Sequence, residues 1–176
     1  TLSKDIKKTF IDGIYALIQS FEAKDNYTKD HSHKVSLLSE SLAQYLALSR
    51  IEVETIQISA LLHDLGKIGI NESIFFRNGL LSNEERDILK RQSIIGYNIL
   101  NGMKLFKDEA IIIRHCHEHF DGGGYPDNLK SSEIPFGSRI ITICEVFDII
   151  TSGRLYRPAL DYSQAFRELQ VHSGSQ

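Results

Sequence analysis

The chain has few cysteines, no excess of basic residues and no long hydrophobic run. Among its 176 residues are two cysteines, and its formal net charge is −3. Cys116 and Cys144 form no CxxC pair, and two thiols in a chain of this length do not build a disulfide framework. We therefore expect a reducing, cytoplasmic environment. The charge balance argues against binding to duplex nucleic acid or to an anionic membrane surface.

The absence of a long apolar run also bears on the membrane. No stretch of about 18 apolar residues is present, so no transmembrane helix and no direct membrane insertion are expected. The chain begins at Thr1 without an initiator Met or a signal-peptide pattern, which predicts a piece of a longer protein with a neighbour on its N-terminal side. With 41% hydrophobic and 24% charged residues, positions 1–176 suit a single soluble domain.

Apolar residues recur at spacings of three and four, which predicts helices throughout and no clear strand. The apolar stripe of the first predicted helix, from Ile6 to Phe21, can pack on the chain's own core or join a partner helix in a homodimer. Packing on the chain's own core is the expected use. The predicted helices are Ile6–Phe21, Val35–Leu46, Glu52 to about Leu65, the capping box Ser82–Glu85 to about Leu100, one capped by Asp108, Gly137–Ser152 with a stop at Gly153, and the capping box Asp161–Gln164 to about Val171.

His63 and Asp64 follow the apolar run Ile58–Leu62 near the predicted end of a helix. An imidazole nitrogen and a carboxylate oxygen can bind one divalent ion, and the carboxylate can also bridge two ions. Lys67 lies one turn further on, where it can either face a phosphate oxygen or form an ion pair with Asp64. Alone, a His-Asp pair is more typical of a surface histidine beside a solvated or capping aspartate.

A second cluster of possible ligands spans residues 115–119, which read His-Cys-His-Glu-His. On a helix, positions 115 and 119 share one face, so one ion cannot bind all five side chains. The apolar stripe of the preceding residues continues through His117, which predicts that His117 points inward and that His115 and His119 point outward. A metal site built on the His115 and His119 pair is the alternative.

Other candidate ligands lie near the two ends of the chain. His31 precedes the core position Val35 by four residues and can therefore face inward, whereas His33 is expected at the surface. Glu145 and Asp148 lie in an apolar helix, where carboxylates require partners. A metal ion is one possible partner, and the alternatives are the arginines Arg139, Arg154 and Arg157.

The two segments His63–Ile70 and His117–Pro126, the second containing Gly124-Tyr125-Pro126, together closely resemble the signature of the HD-GYP domain family. The resemblance extends from about Gly13 to the end of the chain, and the usual continuation of the family would be cut at Gln176. Further matches occur in the family's order at Tyr27–Ser32, Ile134–Pro135, Arg139–Ile140, Phe147–Asp148 and Thr151–Arg157.

This resemblance implies an all-α HD-domain helical bundle, with a five-helix core and added helices. It also implies a bacterial signalling enzyme that hydrolyses cyclic di-GMP to pGpG or GMP, with GGDEF or PilZ-type signalling proteins as partners. The implied cofactors are divalent ions, iron or manganese, with one or two in this chain. The matched metal ligands are His31, His63, Asp64 and His117, the matched catalytic residues are Asp64 and Lys67, and the matched substrate-binding residues are Lys67, Tyr125, Arg154 and Arg157.

The chain departs from the family pattern at several metal positions. Gln92 and Cys116 stand where the family has histidines, and Glu145 stands where it has an aspartate. All three stay candidate ligands, although Cys116 can also be a small buried hydrophobe. Tyr27 replaces the glutamate of three-metal members, so a third ion is not expected. Because the second ion would lose two imidazoles, a catalytically inactive receptor of cyclic di-GMP or protein-interaction module is the main alternative, and a one-ion phosphohydrolase of another nucleotide is the third.

Overall fold

The computed structural model describes residues 2–23, 30–75, 79–152 and 158–175, and these residues form helices and loops without a strand. This agrees with the predicted all-α class. No helix in the described ranges is long and apolar enough to span a membrane. The helices are α1 (Leu2–Glu22), α2 (His31–Tyr45), α3 (Arg50–Leu62), α4 (Glu72–Phe75), α5 (Asn83–Asn101), α6 (Lys107–Arg114), α7 (Phe136–Ser152) and α8 (Tyr162–Val171).

Local side-chain chemistry fixes where several of these helices begin. The Ser82 hydroxyl accepts from the Glu85 backbone N–H, and the Glu85 carboxylate accepts from the Ser82 N–H at 2.7 Å. The same reciprocal arrangement starts α8 at Asp161, so both predicted capping boxes are confirmed. The predicted cap at Asp108 is wrong, because α6 begins at Lys107 and Asp108 lies within its first turn.

Helix α3 lies between two hydrophobic clusters and contributes to both. On one side Ile58 and Leu62 pack with residues of α1, α5 and α6. On the other side Val53, Ile56 and Ala60 pack with residues of α2 and α7. Because both faces of α3 are covered, its C-terminal end and the segment that follows it are held in the interior.

The segment after α3 is a 3₁₀ helix, His63–Gly69, rather than a continuation of the α-helix to Leu65. It packs directly against the backbone of α5. A Cβ atom built on Gly66 would come within 2.6 Å of the Gln92 carbonyl carbon and 2.9 Å of the Gly96 nitrogen. Only a residue without a side chain allows this approach, so Gly66 sets the separation between the 3₁₀ helix and α5.

The stripe predicted for the first helix is divided between the core and the surface. Of the predicted stripe, Ile14 is buried in the cluster beneath α1, whereas Ile6, Phe10 and Leu17 are exposed. Packing on the chain's own core is therefore confirmed for Ile14, and Ile18, which was not in the stripe, is buried beside it. The homodimer stays a prediction.

Candidate metal centre

The 3₁₀ helix places the two adjacent residues of the His-Asp pair in the interior, where His63 is 4% and Asp64 6% exposed. The Nδ1 atom of His63 lies 2.7 Å from the Ala60 carbonyl oxygen, to which it donates. That hydrogen bond fixes the tautomer and leaves Nε2 with a free lone pair. The Nε2 atom of His63 and the Oδ1 atom of Asp64, 3.6 Å apart, are both buried without a hydrogen-bond partner in the protein.

His31 and Glu145 lie beside this pair. The first residue of α2 is His31, whose ring centroid lies 5.4 Å from that of His63. One ligand atom each of His31, His63 and Glu145 lie within 4.8 Å of one another. Divalent transition metals bind donor sets of this kind, which here consist of the imidazoles of His31 and His63 and the carboxylates of Glu145 and Asp64.

The unpartnered atoms of His63 and Asp64 test whether this group fits a metal ion. A buried polar atom without a partner is costly, and here two such atoms belong to residues whose types are metal ligands. An ion bound among His31, His63, Asp64 and Glu145 would satisfy both atoms. The residues of the centre therefore fit the ion that the sequence predicts.

Charge around Asp64 keeps its carboxylate ionised. Burial would raise the pKa of Asp64, but the Lys67 ammonium, 2.5 Å from Oδ2, and the imidazoles of His63 and His31 hold that pKa well below its usual range. The ion pair between Asp64 and Lys67, one of the two roles considered for Lys67, is present. The side chain of Lys67 is 21% exposed, so a phosphate group can also approach the ammonium.

Asp148 orients His31, a role that the sequence did not reveal. Its Oδ2 atom lies 2.6 Å from His31 Nδ1, and its Oδ1 atom accepts from the Ser152 hydroxyl. Burial lowers the pKa of His31, but the hydrogen bond to Asp148 and the negative charges of Asp64 and Glu145 together outweigh burial and raise it. Pairing with Arg139 is wrong, because that guanidinium lies over the Phe136 ring, 4.9 Å from its centroid.

Gln92 and His117, two of the predicted ligands of a second ion, lie next to Tyr125. The amide nitrogen of Gln92 lies 3.3 Å from His117 Nε2 and 3.3 Å from the Tyr125 hydroxyl. The rings of His117 and Tyr125 stack with centroids 5.1 Å apart. Burial lowers the pKa of His117, which keeps its imidazole neutral.

Cys116 is held by contacts of its own. Its Sγ atom lies 3.2 Å from the Ile112 carbonyl oxygen, and the side chain packs in the cluster that covers α3 on the α7 side. Burial, with the Glu145 and Asp64 carboxylates, raises the pKa of the thiol well above its usual value. The thiol is therefore protonated at neutral pH, as expected for a small core residue.

The helical geometry assumed for residues 115–119 is wrong. Helix α6 ends at Arg114, and residues 115–117 form a turn. That turn brings His117 to Tyr125 and Gln92. The predicted inward direction of His117 is therefore right, although the helical stripe from which it was predicted does not extend to residue 117. His115 is not at an outer face, since its Nδ1 atom is buried.

His115 belongs to a group that fixes the loop after α6 rather than to the metal centre. The Nδ1 atom of His115 lies 3.7 Å from Glu118 Oε1 and 3.6 Å from Asp127 Oδ2. Glu118 accepts from the backbone N–H groups of Asp127 and Leu129, while Arg114 donates two hydrogen bonds to Asp127. Because these carboxylates already have donors, this group is a structural clamp.

Several predicted residues lie outside the described part of the chain. These are Tyr27, the helix stop at Gly153, and the two phosphate-binding candidates Arg154 and Arg157. Tyr125 is described and lies beside His117 at the edge of the centre. Its predicted role in substrate binding stays a prediction, as do the roles of the two arginines.

Comparisons with known proteins agree on one family. A family profile described as "HD domain" matches residues 16–176. A cyclic di-GMP phosphodiesterase of Thermotoga maritima is 38% identical over 156 residues, which cover 87% of this chain and 42% of that protein. The response regulator RpfG of Xanthomonas campestris, named a cyclic di-GMP phosphodiesterase, is 35% identical over 90% of this chain and 42% of its own length.

A third relative has a different named substrate. The 3'3'-cGAMP-specific phosphodiesterase 2 of Vibrio cholerae is 33% identical over 98% of this chain and 34% of its own length. The chain thus spans less than half the length of these relatives.

Solved structures show the same fold. A HDG"Y"P protein from Bdellovibrio bacteriovorus aligns with a TM-score of 0.63 and 24% identity, over 83% of this chain and 47% of that one. A cyclic GMP-AMP phosphodiesterase of Vibrio cholerae aligns with a TM-score of 0.64 and 20% identity, over 82% of this chain and 40% of that one.

Proposed function

The chain belongs to the HD domain family and is of the HD-GYP type, and from this premise we propose that it is a metal-dependent phosphodiesterase that hydrolyses cyclic di-GMP. One observation carries the proposal. Donor atoms of His31, His63 and Glu145 converge within 4.8 Å, beside two buried ligand atoms that have no partner in the protein.

The ligands of the ion would be His31, His63, Asp64 and Glu145, and iron or manganese suits this mixture of nitrogen and oxygen donors. A divalent ion held there supplies Lewis acidity toward the phosphoryl group and lowers the pKa of a coordinated water. Each histidine is held in place by its own hydrogen bond, from Nδ1 to Ala60 in one case and to Asp148 in the other.

Asp64 and Lys67 have the central roles among the chain's own residues. Because Asp64 is ionised at neutral pH, it acts only as an acceptor and can hold a proton-donating water in line with phosphorus. The Lys67 ammonium can stabilise the negative charge that grows on the phosphoryl oxygens. Tyr125, with Arg154 and Arg157, is proposed to bind the remainder of the substrate.

The reaction adds one water across a phosphodiester bond. Water attacks phosphorus, the bond from phosphorus to the ribose 3' oxygen breaks, and the leaving oxygen takes up a proton. The product of one such step on cyclic di-GMP is linear pGpG, and a second hydrolysis gives GMP. We propose that this takes place in the bacterial cytoplasm, in concert with GGDEF or PilZ-type proteins.

The test is turnover by protein loaded with Fe(II) or Mn(II) without oxygen, with products separated by chromatography. We expect linear product from cyclic di-GMP, and 3'3'-cGAMP serves as the second substrate. The Asp64→Ala variant should lose the activity, while Lys90→Ala, which removes an exposed ion pair to Asp87, should keep it. Equal activity in the parent and in Asp64→Ala would rule out this centre.

A receptor of cyclic di-GMP without turnover is the second candidate. It is favoured by the hydrogen bond between Gln92 and His117 and by the contact of the buried Cys116 sulfur with the Ile112 carbonyl oxygen, because both reduce the number of free ligands. Calorimetric binding of cyclic di-GMP by metal-loaded protein that forms no product would support the receptor over the enzyme.

A further inference from the structure

We infer that this chain holds one metal ion rather than two, and that Gln92, His117 and Tyr125 form a hydrogen-bonded unit where a second ion would lie. This inference rests on the proposed function, whose metal centre it refines. It concerns the residues for which the family resemblance implies a second ion, and their contacts disagree with that expectation.

The first contact engages the imidazole of His117. Its Nε2 atom faces Gln92, which stands at a family ligand position, and the Gln92 amide nitrogen lies 3.3 Å away. An amide nitrogen has no lone pair to give to a metal ion. The orientation of the Gln92 amide does not matter here. His117 Nε2 accepts a hydrogen bond from the amide nitrogen or, when protonated, donates one to the amide oxygen. In both cases the Nε2 lone pair is not free.

Tyr125 holds the same two residues from the other side. Its hydroxyl lies 3.3 Å from the Gln92 amide nitrogen, and its ring stacks on His117 at 5.1 Å. The amide thus contacts both other members of the unit. Moving His117 onto an ion would break its hydrogen bond to Gln92 and its stacking on Tyr125.

The second contact engages the sulfur of Cys116. The side chain is 1% exposed, and its Sγ atom lies 3.2 Å from the Ile112 carbonyl oxygen. It packs among apolar residues that include Val35 and Ile140. A sulfur held in this cluster behaves as a core atom rather than as a ligand.

The third contact concerns the carboxylate that would bridge two ions. A carboxylate that bridged two ions through both oxygens would need Oδ2, but Asp64 Oδ2 lies 2.5 Å from the Lys67 ammonium. Only Oδ1 is left without a partner. The first ion therefore keeps its donors, while three donors of the second ion are already engaged, namely His117 Nε2, Cys116 Sγ and Asp64 Oδ2. Of these four positions, only Gln92 offers the second ion a buried atom without a partner, its amide oxygen, which is a weak neutral ligand.

The experiment counts metal ions per chain by mass spectrometry after anaerobic loading with Fe(II) or Mn(II) and removal of the excess. We expect one ion in the parent and two in Gln92→His/Cys116→His, which restores both imidazoles. The matched control Gln92→Ala/Cys116→Ala removes the unit without adding ligands and should hold one ion. For the Mn(II) samples, paramagnetic resonance should give an uncoupled signal in the parent and a coupled one in the double-histidine variant.

The possible outcomes separate this inference from the proposed function. Two ions in the parent overturn the inference and leave the proposed function intact. One ion in a folded double-histidine variant, with one in the parent, also overturns it, because positions 92 and 116 would not control the count. One ion in the parent and two in the double-histidine variant, without turnover in the parent, support the inference and contradict the enzyme. No ion in the parent contradicts both.

Discussion

Replacing Asp148 with alanine should weaken metal binding although Asp148 is not among the proposed ligands. The carboxylate lies 2.6 Å from His31 Nδ1, and the two residues are 6% and 4% exposed. Because His31 Nδ1 donates to Asp148, its Nε2 atom keeps the lone pair that binds an ion. Without Asp148 the ring can rotate, and either nitrogen can carry the proton.

Two independent estimates give the size of the effect. A hydrogen bond to a charged group contributes about 1.5–3 kcal/mol. Loss of the carboxylate behind a metal-bound histidine costs about 10–100-fold in metal affinity, which corresponds to about 1.4–2.8 kcal/mol. The estimates overlap, so we expect the dissociation constant of Asp148→Ala to rise about 10–100-fold. The Asp148→Asn variant keeps an acceptor oxygen and should lose less.

Competition with a coloured chelator measures the dissociation constant directly, without any need for turnover. The matched control is Ser152→Ala, which removes the 3.1 Å hydrogen bond to the other oxygen of Asp148 and leaves the contact with His31 intact. The expected order of affinity is parent and Ser152→Ala first, then Asp148→Asn, then Asp148→Ala. A folded Asp148→Ala protein that binds the ion as tightly as the parent would show that Asp148 does not orient His31.

Three further predictions concern packing, catalysis and pH. Gly66→Ala should lower the free energy of unfolding by about 3 kcal/mol, because its Cβ would collide with the α5 backbone. Gly13→Ala, whose Cβ meets no atom within 4 Å, should instead raise that free energy by about 0.5–1 kcal/mol. Urea unfolding of both variants measures the difference. Lys67→Met should lower kcat by about 100-fold with the metal content unchanged, and a normal kcat would contradict its role. Hydrogen bonds from Arg114 lower the pKa of Asp127, so the stability that Asp127 contributes is present above about pH 4 and is lost as the pH falls through the lower folded value. Urea unfolding at about pH 5 and pH 3 should therefore show a steeper loss in the parent than in Asp127→Asn.

Features that depend on neighbouring residues could be predicted from the sequence. The capping boxes at Ser82 and Asp161 need only a side chain and a backbone group three residues apart, and both are present. The inward direction of His31, the first residue of α2, follows from helical spacing alone. Helical spacing did not predict the structure after Arg114, where α6 ends. A turn there continues the apolar pattern of the helix to one further position, His117.

Contacts between distant parts of the chain could not be predicted in this way. Asp148 was correctly expected to need a partner, but that partner is His31, 117 positions away in the sequence. Nothing in local spacing favours His31 over an arginine. The hydrogen bonds that join Gln92 to His117 and Tyr125 likewise depend on how α5 packs against the loop after α6.

The close contact between Gly66 and Gln92 explains how the number of ions can change without a change of fold. At Gly66, the 3₁₀ helix that carries Asp64 packs directly against the backbone of α5 at Gln92 and Gly96. The distance between Asp64 and position 92 is thus set by main-chain atoms, whatever side chain stands at 92. A histidine there would extend from the same backbone as the Gln92 side chain, which contacts His117 and Tyr125. We therefore expect the Gln92→His protein to unfold at nearly the same urea concentration as the parent, and a large loss of stability would show that Gln92 is required for the packing of α5.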